Sequence, residues 1–198
     1  MGVSYSKKRQ NVLLLGLEKS GKTTFLKKIL EFDQSTNNDL SNKIESTISY
    51  NYCLKTINDQ EYDIWDLSGS SLFVPFWCSF YRNLSVDCVL YFINILDSYE
   101  NILNSLKQFI HVVNEEELKF NKFYIIFNVI IDNNKLNYKE EEIKSKVESY
   151  MSIIRNSQVH DIDNRVFYFI FDISKIKKGE TNTNNLLKKC LNLPVKQV

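Results

Sequence analysis

The stretch GLEKSGKT, residues 16–23, follows directly on the apolar run VLLL, residues 12–15. It fits the pattern G-x-x-x-x-G-K-[ST] at every position. Apolar residues then recur with helical spacing at Phe25, Leu26, Ile29 and Leu30. This order favours phosphate binding, because glycines let backbone N–H groups curl around phosphate oxygens and a helix N-terminus attracts anions. The alternative is a glycine turn that only joins strand to helix, and the agreement of motif and context argues against it.

Two side chains of this motif carry chemistry of their own. Lys22 can reach the outer phosphates of a nucleotide, and the Thr23 hydroxyl can ligate Mg²⁺. We therefore predict a phosphate-binding site formed by Gly16, Glu18, Lys19, Ser20, Gly21, Lys22, Thr23 and Thr24.

The whole chain alternates between strand-like and helix-like patterns. The predicted strands are residues 11–15, 48–57, 61–67, 86–95, 123–131 and 166–173. The predicted helices are residues 22–31, 99–113, 139–154 and 181–191, and the polar residues 32–45 are predicted to be a loop. This alternation predicts an α/β fold with a six-stranded, mostly parallel sheet that carries helices on both faces. Residues 48–67 would form its one antiparallel hairpin.

Length and composition limit the class of protein. The 198 residues leave room for one domain, which we place at residues 11–193 behind a flexible tail of residues 1–10. The net charge of +1 gives no general attraction to nucleic acid. No apolar run approaches the roughly 20 residues that span a bilayer, and no signal-peptide core is visible. Four scattered cysteines are typical of reduced thiols, so we expect a cytoplasmic protein.

Four stretches resemble the Arf and Arf-like branch of the Ras-type small GTPases. They are GLEKSGKTT (16–24), TISYN (47–51), IWDLSG (64–69) and PFWCSFYRN (75–83), where the family reads roughly GLDxxGKTT, TIGFN, WDxGG and PLWxxYxxN. The resemblance implies a Ras-type P-loop GTPase fold with GTP or GDP and Mg²⁺ as ligands. It also implies a nucleotide switch that recruits effectors in membrane trafficking or in ciliary or vesicular transport.

Two other classes remain open beside the switch. One is a pseudo-GTPase, a binding module whose nucleotide is static or absent. The other is a P-loop kinase or another ATPase, although the sequence shows no lid or substrate site.

The resemblance also assigns roles outside the phosphate loop. Thr47 would be the switch I threonine that binds Mg²⁺ beside Thr23 when a γ-phosphate is present, and Asp66 would hold the same ion through a water. The N–H of Gly69 would point at the γ-phosphate. The effector patch of the family would correspond to Tyr50, Trp65 and Phe80, which could equally be aromatic packing residues.

Serines replace three residues of the family pattern. The catalytic Gln that orients the attacking water is Ser70 here, and serine is too short to take over that geometry directly. We therefore predict very slow intrinsic GTP hydrolysis. Ser68 and Ser49 stand where the family has glycine, and a Cβ at these positions limits the approach of the backbone and its unusual dihedral angles.

The guanine motif N-K-x-D of the family is only partly present. Asn128 matches, but Val129 replaces the Lys and Ile131 replaces the Asp. The resemblance assigns guanine binding to Asn128, Asp132, Ser174 and Lys175, with Asp132 one residue late. A pocket without its specifying carboxylate leaves base donors unpaired, so we expect reduced base discrimination.

The first residues, MGVSYS, fit the myristoylation pattern M-G-x-x-x-[ST] with Gly2 as the acceptor. Lys7, Lys8 and Arg9 follow, and a basic cluster is the usual second signal beside one acyl chain. We expect a monomer, peripheral on membranes, whose partners are effectors, an exchange factor and a GTPase-activating protein.

Overall fold

A six-stranded sheet runs through the part of the chain that the computed structural model describes, namely residues 8–31, 47–57, 60–130 and 139–172. Its strands are β1 (Gln10–Leu15), β2 (Tyr50–Ile57), β3 (Gln60–Leu67), β4 (Val86–Asn94), β5 (Lys122–Asn128) and β6 (Val166–Phe171). The strand order is β2-β3-β1-β4-β5-β6, and every pair of neighbours is parallel except β2 and β3. The predicted sheet and its one hairpin are therefore confirmed.

The helices connect the strands. They are α1 (Lys22–Glu31), α2 (Trp77–Asn83), α3 (Tyr99–Val113), α4 (Glu140–Arg155) and the short α5 (Ile162–Arg165). Two 3₁₀ turns, Val74–Phe76 and Glu116–Leu118, precede α2 and β5. Among the described residues, no helix combines the length and apolarity needed to cross a bilayer.

Apolar side chains cover the sheet on both faces. In β1, Val12 and Leu14 belong to one buried cluster, with Phe25 and Leu26 of α1, and Leu13 and Leu15 belong to the other, with residues of α3 and α4. Strands buried on both sides read as continuous apolar runs, which is the pattern of residues 12–15. Each fully buried side chain of this size contributes roughly 2 kcal/mol, so the core rather than local propensity holds β1 in place.

Several predicted boundaries were wrong. The fifth strand ends at Asn128 rather than at residue 131, and β4 and β6 end at Asn94 and Phe171. Val129, which follows Asn128, is packed in the core without being strand, and a short apolar run does not show where a strand stops. The second strand begins at Tyr50, since Ile48 is 92% exposed and lies in a bend.

Some elements were not predicted and others cannot be compared. Helix α2 was missed because its aromatic sequence resembles a strand, although the buried pair Trp77 and Tyr81 has helical spacing. The four-residue helix α5 is too short for a periodic signal. The predicted loop 32–45, the predicted helix 181–191 and residue 173 lie outside the described residues.

The carboxyl ends of the parallel strands β1, β4 and β5 meet at one edge of the sheet. Asn94 of β4 is paired with Asn128 of β5, and the loop that follows β1 lies beside them. Ligands of open α/β sheets bind at this edge, so the topology places GLEKSGKT where a ligand is expected.

Candidate functional site

The loop at residues 16–21 is tightly curled and depends on its glycines. Gly16 and Gly21 have φ values of 136° and 92°, which side chains rarely adopt. A Cβ on Gly16 would lie 2.4 Å from the carbonyl oxygen of Phe92, and one on Gly21 would lie 2.2 Å from Nδ2 of Asn128. The loop therefore folds against β4 and β5 only because these two positions carry no side chain.

A buried cation lies beneath this loop. Lys22 at the start of α1 is only 5% exposed, and its Nζ donates to the carbonyl oxygens of Gly16 at 2.7 Å and Leu17 at 3.0 Å. Burial lowers the pKa of Lys22 to about 8, while Asp66 and Glu18 act in the opposite direction. Because the Lys22 ammonium group is already desolvated in the folded chain, it interacts strongly with anionic oxygens.

The three predicted metal ligands come together although they are far apart in sequence. The Thr23 hydroxyl donates to Oδ2 of Asp66 at 2.7 Å and lies 2.9 Å from the Thr47 hydroxyl. Nδ2 of Asn51 donates to Oδ2 of Asp66 at 3.0 Å and to the Thr47 hydroxyl at 3.2 Å. Four side chains from three segments, residues 16–23, 47–51 and 66–70, thus form one connected oxygen-rich cluster.

The unsatisfied oxygen in this cluster is suited to a cation. Asp66 is fully buried, and its Oδ1 has no protein hydrogen-bond partner. A buried carboxylate oxygen without a partner is costly, and Mg²⁺ with its waters prefers such hard oxygen donors. The residues present therefore fit a magnesium ion.

Backbone hydrogen bonds join the loops around the cluster. The N–H of Glu18 donates to the carbonyl of Gly69 at 3.0 Å, and the N–H of Ser68 donates to the carbonyl of Ser49 at 2.8 Å. Gly69 lies so close to the phosphate loop that a Cβ there would be 2.3 Å from the Gly16 oxygen and 2.4 Å from the Leu17 carbonyl carbon. Residues 16–23, 47–51 and 66–70 therefore form one connected unit.

Ser70 begins the turn that leads to α2. Its carbonyl accepts from the N–H groups of Phe73 at 2.9 Å and Val74 at 3.0 Å, and its hydroxyl lies 3.4 Å from that of Ser68. The carbonyl of Ser68 accepts from Nε1 of Trp77 at 2.9 Å. Two short hydroxyls thus stand where the family pattern has a glycine and a long amide.

Of the predicted guanine-binding residues, only Asn128 lies among the described ones. Its side chain is fully buried, with Nδ2 donating to the Ser20 carbonyl at 3.0 Å and Oδ1 without a protein partner. Val129, at the position of the family lysine, is only 2% exposed and belongs to the core. Asp132, Ser174 and Lys175 lie outside the described residues.

The predicted effector residues form an aromatic surface on β2, β3 and α2. The rings of Tyr50, Trp65 and Phe80 are mutual neighbours, with centroids 5.3 to 6.1 Å apart. The Tyr52 ring lies tilted against Trp65, with centroids 4.7 Å apart, and extends the surface, and its hydroxyl donates to Asp63 at 2.6 Å. Tyr50 and Tyr52 remain about half exposed, so these rings pack on one another and still face solvent.

Part of the predicted tail is attached to β3. The Arg9 Nε donates to Glu61 at 2.7 Å, and Nε2 of Gln60 donates to the carbonyl of Lys8 at 2.6 Å. The strand β1 begins one residue earlier than predicted, at Gln10. Gly2 and Lys7 lie outside the described residues.

Sequence reasoning gave no role to two residues of this region, Asn51 and Tyr52. Alternate residues of a strand share one face, so Tyr52 lies on the same face of β2 as Tyr50. Its place in the aromatic surface could therefore have been predicted from the sequence. Asn51 faces the other way, toward Asp66, and only the register Asn51 to Asp66 in the hairpin reveals that contact.

Strand order, loop geometry and the clustered hydroxyls and carboxylate define the class of protein: a P-loop domain with the Ras-type GTPase fold. The structure of the Arl6 BBS3 small GTPase from Trypanosoma brucei with bound nucleotide analogue GppNp superimposes with a TM-score of 0.63, covering 93% of this chain and 98% of that one at 16% identity. The profile of the ADP-ribosylation factor family matches residues 2–187. The chain therefore belongs to the ADP-ribosylation factor family.

Curated relatives agree with this assignment. The ADP-ribosylation factor-like protein alp41 of Schizosaccharomyces pombe is 28% identical over 119 residues, which is 59% of this chain and 58% of that protein. The ADP-ribosylation factor-like protein 1 of Drosophila melanogaster is 28% identical over 111 residues, 56% of each chain. The similarity thus spans a little over half the length of these relatives. The family resemblance predicted from the sequence is confirmed.

Proposed function

We propose that this chain is an Arf-like nucleotide switch that binds GTP or GDP with Mg²⁺, hydrolyses GTP slowly by itself and recruits effectors. The observation that carries the proposal is the convergence of Thr23, Thr47 and Asp66 beside the phosphate loop. Thr47 belongs to a segment 24 residues further along the chain than Thr23, and the two hydroxyls are 2.9 Å apart. In this proposal both hydroxyls would hold the same Mg²⁺ ion.

In this proposal the chain's own groups divide the work of binding. Backbone N–H groups of residues 16–24 cradle the phosphates, and Lys22 supplies the positive charge. The hydroxyls of Thr23 and Thr47 and, through water, Asp66 would hold Mg²⁺, which when bound neutralises phosphate charge. Asn128 positions the loop through Ser20 and would face the base together with Asp132, Ser174 and Lys175.

The switch itself would lie in residues 47–51 and 66–70. Thr47 and Gly69 both touch elements of the phosphate site, Thr47 through Thr23 and Gly69 through Glu18. A γ-phosphate that engages the Thr47 hydroxyl and the Gly69 N–H would favour this arrangement, and its loss would release both segments. The aromatic surface begins at Tyr50, three residues after Thr47. Effector binding would therefore depend on whether the nucleotide at the phosphate loop carries a γ-phosphate.

The experiment that tests the proposal is the identity of the co-purifying nucleotide. The full chain is purified without added nucleotide and denatured, and the released material is separated by chromatography. We expect close to one guanine nucleotide per chain. An empty protein that also fails to take up GTP with Mg²⁺ would contradict the proposal, and adenine nucleotide would point to an ATPase.

Replacing Ser70 with glutamine should accelerate single-turnover GTP hydrolysis by about tenfold or more. The longer amide can orient a water that the serine hydroxyl cannot reach. Ser70→Ala is the matched control and should hydrolyse GTP within about twofold of the wild-type rate. A wild type as fast as Ser70→Gln would contradict this account of Ser70, and a clear loss in Ser70→Ala would show that the serine hydroxyl itself acts in catalysis.

Replacing Asn51 with alanine should speed the dissociation of a fluorescent GTP analogue by about tenfold, with GDP release little changed. The variant removes two hydrogen bonds of about 1 kcal/mol each that hold Thr47 and Asp66 together. Stopped-flow displacement measures both rates, and Thr56→Ala on the same strand is the control. Equal acceleration of both nucleotides would mean that Asn51 does not act on the triphosphate-bound arrangement.

The partners and membrane association belong to the same proposal. The aromatic surface of Tyr50, Tyr52, Trp65 and Phe80 would anchor effectors, since exposed rings on a rigid sheet are common anchors. An exchange factor would release the bound nucleotide. A GTPase-activating protein would supply the catalytic group that is missing because Ser70 stands where the family has Gln. An acyl group on Gly2, together with the basic residues Lys7, Lys8 and Arg9, would bring the chain to membranes in trafficking or transport. Of these basic residues, Arg9 also pairs with Glu61.

One observation favours the second candidate, a pseudo-GTPase that acts as a binding module. The side chain that replaces the base-stacking lysine, Val129, is directed into the core. With Ser70 in place of Gln, a chain of this kind could hold its effector surface without cycling. A protein whose bound nucleotide neither exchanges nor hydrolyses would support this candidate.

A further inference from the structure

The phosphate loop contains a tight turn with a lysine in an unusual place. The N–H of Ser20 donates to the carbonyl of Leu17 at 3.4 Å, so Glu18 and Lys19 are the two central residues of this turn. Lys19 has a φ of 60°, which lies in the left-handed region that favours glycine. Turns with a positive φ at their third residue usually carry glycine or asparagine there. The backbone at Lys19 is therefore strained.

This strain singles out the Lys19 side chain. The loop has three positive φ values, and the other two belong to Gly16 and Gly21. Strained backbone of this kind persists only where the surrounding structure holds it, and it is concentrated at functional sites. Glycine would satisfy the turn without cost, so the lysine side chain is a candidate for a role that glycine could not fill.

The two lysines of the loop differ in what their ammonium groups contact. Nζ of Lys22 donates to two loop carbonyls and also to Oγ of Ser20 at 3.3 Å, which uses all three donors of an ammonium group. Lys19 is exposed, and within the part of the chain that the structure describes its ammonium group has no hydrogen-bond or ion-pair partner. Its donors are therefore available to a bound anion.

The turn lies against the segment that would meet the γ-phosphate. The N–H of Glu18 donates to the Gly69 carbonyl at 3.0 Å, and a Cβ on Gly69 would lie 2.7 Å from the Glu18 nitrogen. The residue after Gly69 is Ser70, where the family has Gln. Lys19 directly follows Glu18, and its flexible four-carbon stem can bring the ammonium group to the outer phosphates. The position that lacks its catalytic amide thus adjoins a lysine with available donors.

We propose that Lys19 is a further catalytic residue, whose ammonium group stabilises the negative charge that develops during GTP hydrolysis; this inference rests on the proposed function. The water oxygen forms a bond to the γ-phosphorus, the bond from that phosphorus to the bridging oxygen breaks, and its electron pair stays on GDP. Both water protons leave with the inorganic phosphate. Lys19 exchanges no proton and interacts more strongly with the bridging oxygen as the charge there grows.

The first test is single-turnover hydrolysis by the full chain loaded with GTP and Mg²⁺. Lys19→Met removes the charge at similar length and should slow hydrolysis about tenfold, the low end for a lost hydrogen bond to a charged group. Lys19→Arg keeps a cation and should stay within about threefold of the wild type. Lys27→Met removes an exposed charge on α1 and should leave the rate unchanged.

The second test does not depend on turnover. Aluminium fluoride bound beside GDP imitates the phosphoryl group during transfer, and ¹⁹F NMR detects the bound form. The wild-type chain should bind it with GDP and Mg²⁺ in the absence of any partner protein. Lys19→Met should weaken this binding about tenfold, while its affinity for GDP changes by less than about threefold. Such a split separates the stabilisation of developing charge from ordinary phosphate binding.

Lys19→Gly controls for an effect of the substitution on folding. Glycine adopts a positive φ without strain, so the unligated variant should unfold within a few degrees of the wild type in a thermal scan. The variant removes the same charge as Lys19→Met. It should therefore show the same loss of hydrolysis and of aluminium fluoride binding, and it decides the matter should Lys19→Met fold poorly.

Three results would overturn the proposed role of Lys19. One is hydrolysis at the wild-type rate in both Lys19→Met and Lys19→Gly. Another is an equal loss of affinity for GDP and for aluminium fluoride, which would make Lys19 a phosphate-binding residue only. The third is a wild-type chain that binds GDP but no aluminium fluoride. A chain that takes up neither GTP nor GDP would refute the proposed function and this role with it, so the two failures are distinguishable.

Discussion

Replacing Lys22 with methionine is expected to weaken GTP binding by about 10- to 100-fold, with an equal or smaller effect on GDP. The ammonium group is nearly buried beneath the phosphate loop, and a charge-assisted hydrogen bond to phosphate contributes roughly 1.5–3 kcal/mol. Methionine keeps the length and apolar character of the side chain but removes the charge. Equilibrium titration with a fluorescent GTP analogue and Mg²⁺ measures the loss.

The same side chain gives the binding a predictable pH dependence. Burial lowers the pKa of Lys22 from 10.5 to about 8, so the free protein loses this proton as the pH rises through 8. Because phosphate binding needs the charged form, affinity should be constant below pH 8 and fall above it, by up to about tenfold per pH unit. The stability of the unligated chain should change in the opposite direction, rising between pH 8 and 10.5, because the unfolded chain binds the proton more tightly there.

The control for both measurements is Lys27→Met, which removes a charge from an exposed position on α1. It should bind GTP within about twofold of the wild type and keep the decline above pH 8. Lys22→Met should lose that decline entirely. Unchanged affinity in Lys22→Met for every nucleoside triphosphate would mean that residues 16–23 do not hold phosphates.

Replacing Gly69 with alanine is expected to reduce the preference for GTP over GDP by about 10- to 100-fold. The new Cβ would lie 2.3 Å from the Gly16 oxygen and 2.7 Å from the Glu18 nitrogen, and these backbone atoms cannot move away cheaply. Gly69 must therefore move away from the phosphate loop, at a cost of about 1–3 kcal/mol. The hydrogen bond from the Glu18 N–H to the Gly69 carbonyl is then lost. GDP binding, which does not need this contact, should be nearly unchanged.

The ratio of the dissociation constants for a non-hydrolysable GTP analogue and for GDP measures this effect. Ser71→Ala, two residues further along and exposed, is the control and should leave the ratio unchanged. A Gly69→Ala protein that keeps the wild-type ratio would show that the contact of Gly69 with the phosphate loop plays no part in sensing the third phosphate.

The fold and the phosphate loop could be predicted because their signals are local. The alternation of apolar runs and helical spacing specifies β1, α1 and α3, and GLEKSGKT places two glycines where only glycine fits. Thr47 and Asp66 are different, since nothing in their own neighbourhoods marks them as partners of Thr23. They could be named only through the resemblance to a family.

Other parts of the site follow from three-dimensional contacts that no sequence pattern encodes. The bond from Asn51 to Asp66 depends on the register of the hairpin, and the bond from Trp77 to Ser68 depends on how α2 turns back onto β3. A pattern shows which face of a helix is buried but not which element covers it.

The two tryptophans of the chain lie where their intrinsic fluorescence would report on two different events. Trp77 lies beneath the segment that holds Gly69, and Trp65 lies in the aromatic surface, so each indole senses a different event. Emission from the buried ring would register nucleotide exchange, whereas emission from the partly exposed ring would register partner binding. Single-tryptophan variants could therefore follow both steps in real time, without any attached dye.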